Sequence, residues 1–489
     1  VIPFFRCLAF YTNSHFLSAI SSLQNTFFAV LSRFSNFNLL NSTQTLSTIA
    51  MIKSLITYLF AAMMLAPCML QAQDLKALVD EKAEEINDKV IAWRRDIHQH
   101  PELSNREFKT AEKVAAHLKS LGIEVQTGVA HTGVVGVLKG AKPGPVVALR
   151  ADMDALPVVE RVDVPYASKV KAEYNGEEVG VMHACGHDTH VAILMGVAEV
   201  LSDMRSDLQG TVKFLFQPAE EGAPKGEEGG ADLMIKEGAL QNPDVDAIFG
   251  LHINSKTPVN TIGYRPEGTM AAVDGLEIKV KGAQTHGAYP WAGVDPIVTA
   301  SQIVMGLQTI VSRNLELLKA PAVVTIGKIE GGVRSNIIPE EVTMIGTIRS
   351  LDSEMQDKIH ARIREIATNI GESAGAEVEV NISRGYPVTY NDPELTAQAV
   401  ETLYETAGKD NVFLRQAVTG AEDFSYFAQE VPGFFFFLGG MPADMSPEDA
   451  PPHHTPDFFI DDSGLILGVR TLSNLTLEYM NRHGDAMGK

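Results

Sequence analysis

Cysteine is scarce in this sequence: Cys7, Cys68 and Cys185 are the three in 489 residues. The first two fall in an N-terminal stretch that reads as a leader. One thiol, Cys185, then remains in the mature chain, which excludes an intrachain disulfide. A lone thiol in an exported protein is open to oxidation unless burial or a metal protects it. Basic charge is also short. Lys and Arg number 40 against 61 Asp and Glu, for a formal net charge of -21. Phosphate binding needs clustered Lys and Arg, so nucleic acid is not expected as a partner. No repeat array or low-complexity tract follows the leader. Its apolar run, from Leu55 to about Leu70, is too short and wrongly flanked to span a bilayer.

What is present is a composition of 45% hydrophobic and 21% charged residues, that of a soluble globular chain with room for two or three domains. Residues 1–50 contain no Asp or Glu and begin with Val. Then Met51, Lys53, the apolar run and the small residue Ala72 form a secretory signal. We therefore expect 1–73 to be a non-mature leader: 1–50 an extension upstream of the true start at Met51, and 51–73 a signal peptide. The mature protein is then exported, periplasmic or secreted, with no membrane partner once the signal is removed.

After the leader, "LKALVDEKAEEINDKVIAWRRDIHQHPEL" has helical spacing and ends before Pro101, and "EFKTAEKVAAHLKSLG" is a second helix closed by Gly122. "GVVGVLKG", "GPVVALRADMD", "GTVKFLFQP" and "VDAIFGLHI" read as strands, with the helix "HVAILMGVAEVLSDM" among them. Helices alternating with all-apolar strand cores predict an α/β layer on a largely parallel sheet. Near residue 270 the pattern changes. "AVDGLEIKVKGAQTHG", a helix from about Pro296 to Leu315, "PAVVTIGKIEGG", "EEVTMIGTIRS", a long helix and "AEVEVNISRG" give the order β-α-β-β-α-β. That order is the ferredoxin-like split unit. The expected division is 74–268 and 385–489 for an α/β catalytic domain, with 269–384 as an inserted small α+β domain.

The chemistry-bearing residues gather at the strand ends. In "HACGHDTH", Cys185 and His187 are two apart on an extended loop just before a helix, whose N-terminus would lower the thiol pKa. Both a metal site and a thiol nucleophile suit that placement. "FLFQPAEEG" sets Glu220 and Glu221 after a buried strand, where sites collect in open α/β sheets. One of these carboxylates can bind a metal while the other handles protons. His252 ends "FGLHI", His453 and His454 lie in "PPHHTPDF", and Asp152 and Asp154 close "LRADMD". Each has a bland alternative: a satisfied core histidine, a polar loop, a helix cap, a solvated acidic turn. Together they form the ligand set of a zinc-like site with oxygen donors for a second ion. A cysteine-nucleophile amidase would leave both glutamates, His252 and His454 unexplained. An exported metal-binding protein without catalysis is a further alternative.

Nine segments in order carry a resemblance: "RRDIHQHPELSNRE", "LRADMDALP", "MHACGHDTH", "FLFQPAEEG", "GLHI", "THGAYPWAGVDPI", "SNIIPEEV", "GAEDFSYF" and "HHTPDFFIDD". Over residues 85–480 the chain resembles the aminoacylase/carboxypeptidase-like metallohydrolases. It is most similar to their amidohydrolase branch, which includes hippurate hydrolases, N-acetyldiaminopimelate deacetylases and plant hydrolases of auxin–amino acid conjugates. The resemblance implies an α/β, largely parallel-sheet dinuclear metallohydrolase domain with an inserted ferredoxin-like small domain. It implies two divalent ions, zinc or manganese with cobalt or nickel as alternatives, on Cys185, His187, Glu221, His252 and His454. Glu220 would be the general base acting on a metal-held water. Asp152 would orient a ligand, ahead of Asp154 in that role. His286 would reach a substrate oxygen, often across a dimer, and Asn336 and Arg349 would contact substrate polar groups. His183 and His190 are expected to shape the loop and begin the helix, and His100 to be structural. The implied reaction is hydrolysis of N-acyl amino acids by a homodimer, with a metallo-carboxypeptidase or dipeptidase as the alternative.

Overall fold

The computed structural model describes residues 75–484, so the leader expected over 1–73 lies outside the described residues. Residues from Lys82 onward form one compact unit. Residues 75–99 are helical (α1), and the helix stops just ahead of Pro101 as the sequence predicts. Then follow α2 (Phe108–Ser120), β1 (Glu124–Val129), β2 (Gly133–Lys139), β3 (Lys142–Asp152), α3 (His187–Asp203), β4 (Gln209–Gln217), β5 (Ala247–Pro258) and β6 (Ile262–Tyr264). A second group comprises β7 (Ala272–Lys281), α4 (Pro296–Thr309), β8 (Ala322–Gly331), β9 (Glu341–Ser350), α5 (Ser353–Ala374) and β10 (Glu377–Arg384). The chain closes with α6 (Pro393–Ala407), β11 (Val412–Leu414), β12 (Gly433–Met441) and α7 (Leu465–His483).

The large sheet has eight strands in the order β1-β2-β4-β3-β5-β12-β6-β11. Its centre, β4-β3-β5-β12, is parallel, while β1, β2 and β6 join antiparallel. Burial on both faces explains the unbroken apolar runs. In β12, "GFFFFLGGM", every residue is buried, and each phenylalanine contributes roughly 1.5–3 kcal/mol by leaving water. Register sets one row across the sheet: Asp152 lies opposite Gln217, and Phe437 lies between His252 and Gly263. Gly186 caps α3 at φ 94°. A Cβ there would lie 2.4 Å from Ile253, so only glycine lets the Cys185–His187 loop enter the helix this way.

The second group forms a separate antiparallel sheet in the order β8-β9-β7-β10, with α4 and α5 packed on an aliphatic core that includes Leu276, Ile278, Ile303, Met344 and Ile363. This is the predicted ferredoxin-like unit. Asp295 and Asp352 cap the two helices, accepting backbone N–H groups in the first turns. The first helix, expected to run to about Leu315, instead ends at Thr309 and widens into a π-turn over Ile310–Asn314, which keeps Ile310 in the core. No helix of the described residues is long and apolar enough to cross a membrane.

Candidate metal centre

Strands β3 and β4 end side by side and the loops beyond them converge; His252 faces them from within β5, which continues to Pro258 and does not end at His252 as the sequence predicts. Cys185 Sγ lies 3.4 Å from His252 Nε2 and 3.3 Å from His454 Nε2. Glu221 Oε1 lies 3.0 Å from His454 Nε2 and 4.0 Å from His187 Nε2, and Glu220 Oε2 is 3.7 Å from His187 Nε2. Overlapping donor sets result, among them Cys185, His187 and His252; Cys185, Glu221 and His454; and His187, Glu220 and Glu221. All six residues were expected at the site from the sequence, and the fold brings them together.

These donors fit metal ions. His187 Nε2 and Glu221 Oε1 are buried with no hydrogen-bond partner. Each central histidine is anchored through its other nitrogen: His187 Nδ1 bonds the Asp154 carbonyl at 2.9 Å, and His252 Nδ1 bonds the Ile253 carbonyl at 2.6 Å. That leaves their Nε2 lone pairs aimed inward, as ligation requires. His453 and His190 are different. His453 uses Nδ1 on the Cys185 carbonyl at 3.1 Å and Nε2 on the Ser255 N–H at 3.2 Å. His190 uses Nδ1 on Asp152 at 2.5 Å and Nε2 on the Ile253 N–H at 2.9 Å. Both imidazoles are spent on backbone and carboxylate, so His454 is the free member of its pair. Thiolate, imidazole and carboxylate together suit a borderline ion with an oxygen-rich second position.

The loop carrying the glutamates is strained and tied down. Ala219 sits at φ 52°, a conformation that costs a non-glycine residue on the order of 1 kcal/mol or more. Glu107 accepts the Ala219 N–H at 3.0 Å and the Thr132 hydroxyl. Asp154 accepts the N–H groups of Glu220 and Glu221, both at 3.0 Å, and the Ser104 hydroxyl at 2.8 Å. Its carboxylate also lies 3.3 Å from His187 Nδ1. The contact to His187 Nδ1 therefore comes from Asp154, the second of the two candidates for orienting a ligand, and not from Asp152, the first. Asp152 is instead held between His190 and Arg150, which donates to it at 2.6 Å.

Arg150 is a feature that the sequence reading did not assign. It is fully buried and bonds Gln217 at 2.7 Å, Glu422 at 2.8 Å and Asp423 at 2.7 Å. A charged residue inside "VVALRADMD", two before an aspartate on the same strand face, was the available signal. Tyr386 was missed as well; its hydroxyl donates to the Glu220 carbonyl at 2.6 Å.

The electrostatics follow from burial beside many acids. Burial, then Glu422, Glu221 and Asp423, pushes the Glu220 carboxyl well above its usual range. Asp423 is raised to about 7, by burial first and Glu422 as well, against the pull of Arg150. Burial opposes charge on His187, but Asp152 and Asp154 raise it to about 10. His252 is driven well below its usual value by burial and then by the His190 and His453 rings. The thiol departs from expectation. Burial, then Glu221 and Glu220, pushes Cys185 up, outweighing any help from the helix N-terminus. An activated thiolate–imidazolium pair needs the opposite surroundings.

Of the three residues expected to touch substrate, Arg349 lies in the small sheet, while His286 lies in a two-residue strand paired with Ile337 and Ile338 and Asn336 in the turn just before them; none is joined to this cluster by a hydrogen bond or ion pair among the described residues. His286 is exposed, pairs with Ile337, and accepts the Ala288 N–H. Asn336 is exposed beside it, its carbonyl taking the Gly287 N–H. Arg349 is half-buried and donates to Thr347 and the Ile348 carbonyl.

The family pattern described as Peptidase family M20/M25/M40 matches residues 148–478, more than half of the chain. The chain belongs to this family and is a hydrolase of amide or peptide bonds. It is 41% identical to thermostable carboxypeptidase 2 of Saccharolobus solfataricus over 84% of this chain and 100% of that one. It is 38% identical to N-acetyl-L-cysteine deacetylase of Bacillus subtilis, covering 78% and 86%. Among solved structures, a Bacillus subtilis protein described as a dinuclear metal-binding peptidase of the M20 family superposes with a TM-score of 0.69. It is 34% identical and covers 81% of this chain and 99% of that one.

Proposed function

We propose that the chain hydrolyses the amide bond of N-acyl amino acids, releasing a carboxylate and a free amino acid. The observation that carries this reading is the placement of Glu220, a buried carboxyl 3.7 Å from His187 Nε2 and outside the thiol-containing donor sets. Cys185, His187, Glu221, His252 and His454 would hold two divalent ions, zinc or manganese with cobalt or nickel as alternatives. Bound there, the ions would polarise the amide carbonyl and lower the pKa of a water. Glu220 takes the proton from the attacking water and returns it to the leaving nitrogen. Asp154 and Tyr386 keep the backbone of Glu220 in place while this happens. The name of the Bacillus deacetylase supports an N-acyl amino acid substrate.

A substrate panel of N-acetyl, N-benzoyl and indolyl-acyl amino acids, run with metal analysis, tests the reading. Turnover is expected on part of the panel and in proportion to bound metal. Activity that survives verified removal of metal by a chelator would return the thiol-nucleophile alternative. Activity on dipeptides alone would favour the carboxypeptidase or dipeptidase reading, which the Saccharolobus relative supports.

Two further expectations belong to the same reading. The chain works as a homodimer, with the exposed His286 serving a substrate oxygen across the interface. Trp291, Met305, Leu318 and Val333, at least 70% exposed on the segment around the small sheet, support such an interface. The chain is also exported; fractionation of cells making the full sequence would test that.

A further inference from the structure

Arg415 follows the edge strand β11, where its N–H bonds the Tyr264 carbonyl at 2.9 Å. Its guanidinium carbon lies 3.6 Å from the centre of the Phe437 ring. No carboxylate pairs with it among the described residues, and its Nη1 is buried with no partner. The other buried arginines contrast with this. Arg94 meets Asp188 and Asp462, and Arg150 meets Asp152, Glu422 and Asp423. Burial alone lowers the Arg415 pKa, to about 10, so the cation persists at neutral pH without a counter-ion. The residue as a whole is half-buried, and its Nη1 is an unsatisfied donor.

The position is built. Phe437 pairs with His252 on one side and with Gly263 on the other. Residues paired across strands face the same side of a sheet, so the ring supporting Arg415 is the immediate neighbour of a candidate metal ligand. A Cβ on Gly263 would lie 3.2 Å from the Phe413 ring and 3.3 Å from Arg415 Cδ, so the glycine makes the room in which the arginine lies flat. Stacking holds the planar guanidinium in one orientation with its Nη1 unpaired. In a chain of net charge -21, an anionic substrate is repelled in general and needs a local cation.

We infer that Arg415 receives the free carboxylate of the substrate, two bonds from the scissile nitrogen, and so selects N-acyl amino acids over neutral amides. The scale agrees. One strand spacing, about 4.8 Å, separates the His252 and Phe437 positions, and a single Cα separates the amide from the carboxylate in such a substrate. A guanidinium takes a carboxylate through two parallel charge-assisted bonds. The inference rests on the function proposed above, but it assigns a recognition role to a residue in the large sheet, distinct from Arg349, whose Nη1 is already bonded to Thr347.

The test uses the metal-loaded full chain carrying Glu220→Ala, so that probes bind without turnover. Dissociation constants are measured by calorimetry for N-benzoylglycine and its neutral carboxamide, before and after adding Arg415→Met. The parent should prefer the carboxylate, and Arg415→Met should weaken it about 10- to 100-fold while leaving the carboxamide unchanged. Arg415→Lys should recover part of the loss, and Arg415→Gln serves if the methionine variant does not fold. A parent that does not favour the carboxylate, or a variant that weakens both probes equally or neither, would overturn the inference. Absence of wild-type turnover on the acyl-amino acid panel, with binding preference intact, would instead overturn the proposed function and leave Arg415 as a carboxylate receptor.

Discussion

In the large sheet and just beyond the end of β3, Arg150, Asp152, Asp154 and Gln217 are buried and bonded to one another or to the loops that carry Glu220 and Glu221. Around the small sheet, His286 and Asn336 stand exposed, and the side-chain bonds of Arg349 stay within its own strand. The buried polar group of the small sheet, Asp274 with Gln356 and His360, joins β7 to α5 and reaches no reactive residue. Buried polarity thus does two jobs in one chain. In one sheet it aims donors at a common point; in the other it fixes a helix onto a strand. The candidate substrate contacts in and around the small sheet lack that support, which suits residues meant to meet something outside their own layer.

The contrast can be broken most forcefully at Glu220. Glu220→Ala should keep its metals and lose turnover by about 10²–10⁴-fold, read as kcat alongside metal content. Loss of metal together with activity would remove the separation between base and ligands. Next is Arg150→Met, which strands Asp152, Glu422 and Asp423 in the interior. Denaturant unfolding should show a loss of about 3–5 kcal/mol. The exposed pair Arg384–Asp357 of the small sheet should cost under about 1 kcal/mol when Arg384→Met is made. Similar losses for the two would erase the difference between the sheets.

Asp154→Asn should weaken metal affinity about 10- to 100-fold, as loss of a group that orients a ligand does. Asp152→Asn should weaken it less, and the reverse order in a competition titration would return the orienting role to Asp152. A pH experiment sharpens the same loop. Burial, then Asp154, raises Glu107 to about 8. A carboxyl with a raised folded-state pKa contributes stability below its unfolded value, near 4, and loses it as pH climbs through 8. Wild type should therefore soften between those limits, whereas Glu107→Gln should not. At pH 8.5 the variant should melt on the order of 2 °C higher, and at pH 4 the two should coincide. The smallest effect is expected at Leu318, 98% exposed. Leu318→Ser should leave the melting temperature within about 1 °C yet shift sedimentation toward monomer, if the small sheet carries a homodimer.

Several of these residues were legible from sequence and others were not, for physical reasons. Cys185, His187, Glu220, Glu221, His252 and His454 announce themselves because their chemistry is unusual beside apolar strands and in the loops that join them. The ferredoxin-like order was legible because half-exposed strands alternate with period two, as "LEIKVK" does. Asp152 and Asp154 are two apart on one strand end and look equivalent in sequence. Only the positions of His187 and the glutamate N–H groups separate them. Arg150 stayed unassigned because its partners Glu422 and Asp423 are more than 270 residues away. The thiol's raised pKa was invisible for a similar reason. It depends on how many carboxylates the fold gathers around Cys185, whereas the helix N-terminus beside it is local.

One consequence concerns the order in which the chain is made. Strand β12, residues Gly433–Met441, is nearly the last to be synthesised but enters the sheet between β5 and β6, not at an edge. His454 comes later still. While the ribosome is at work, β6 and β11 have no strand joining them to the rest of the sheet, and the donor set is one imidazole short. A product cut off before residue 433 would therefore carry a cleft sheet and an unfinished ion site at once. The topology makes the closing of the large sheet and the completion of the donor cluster arrive together.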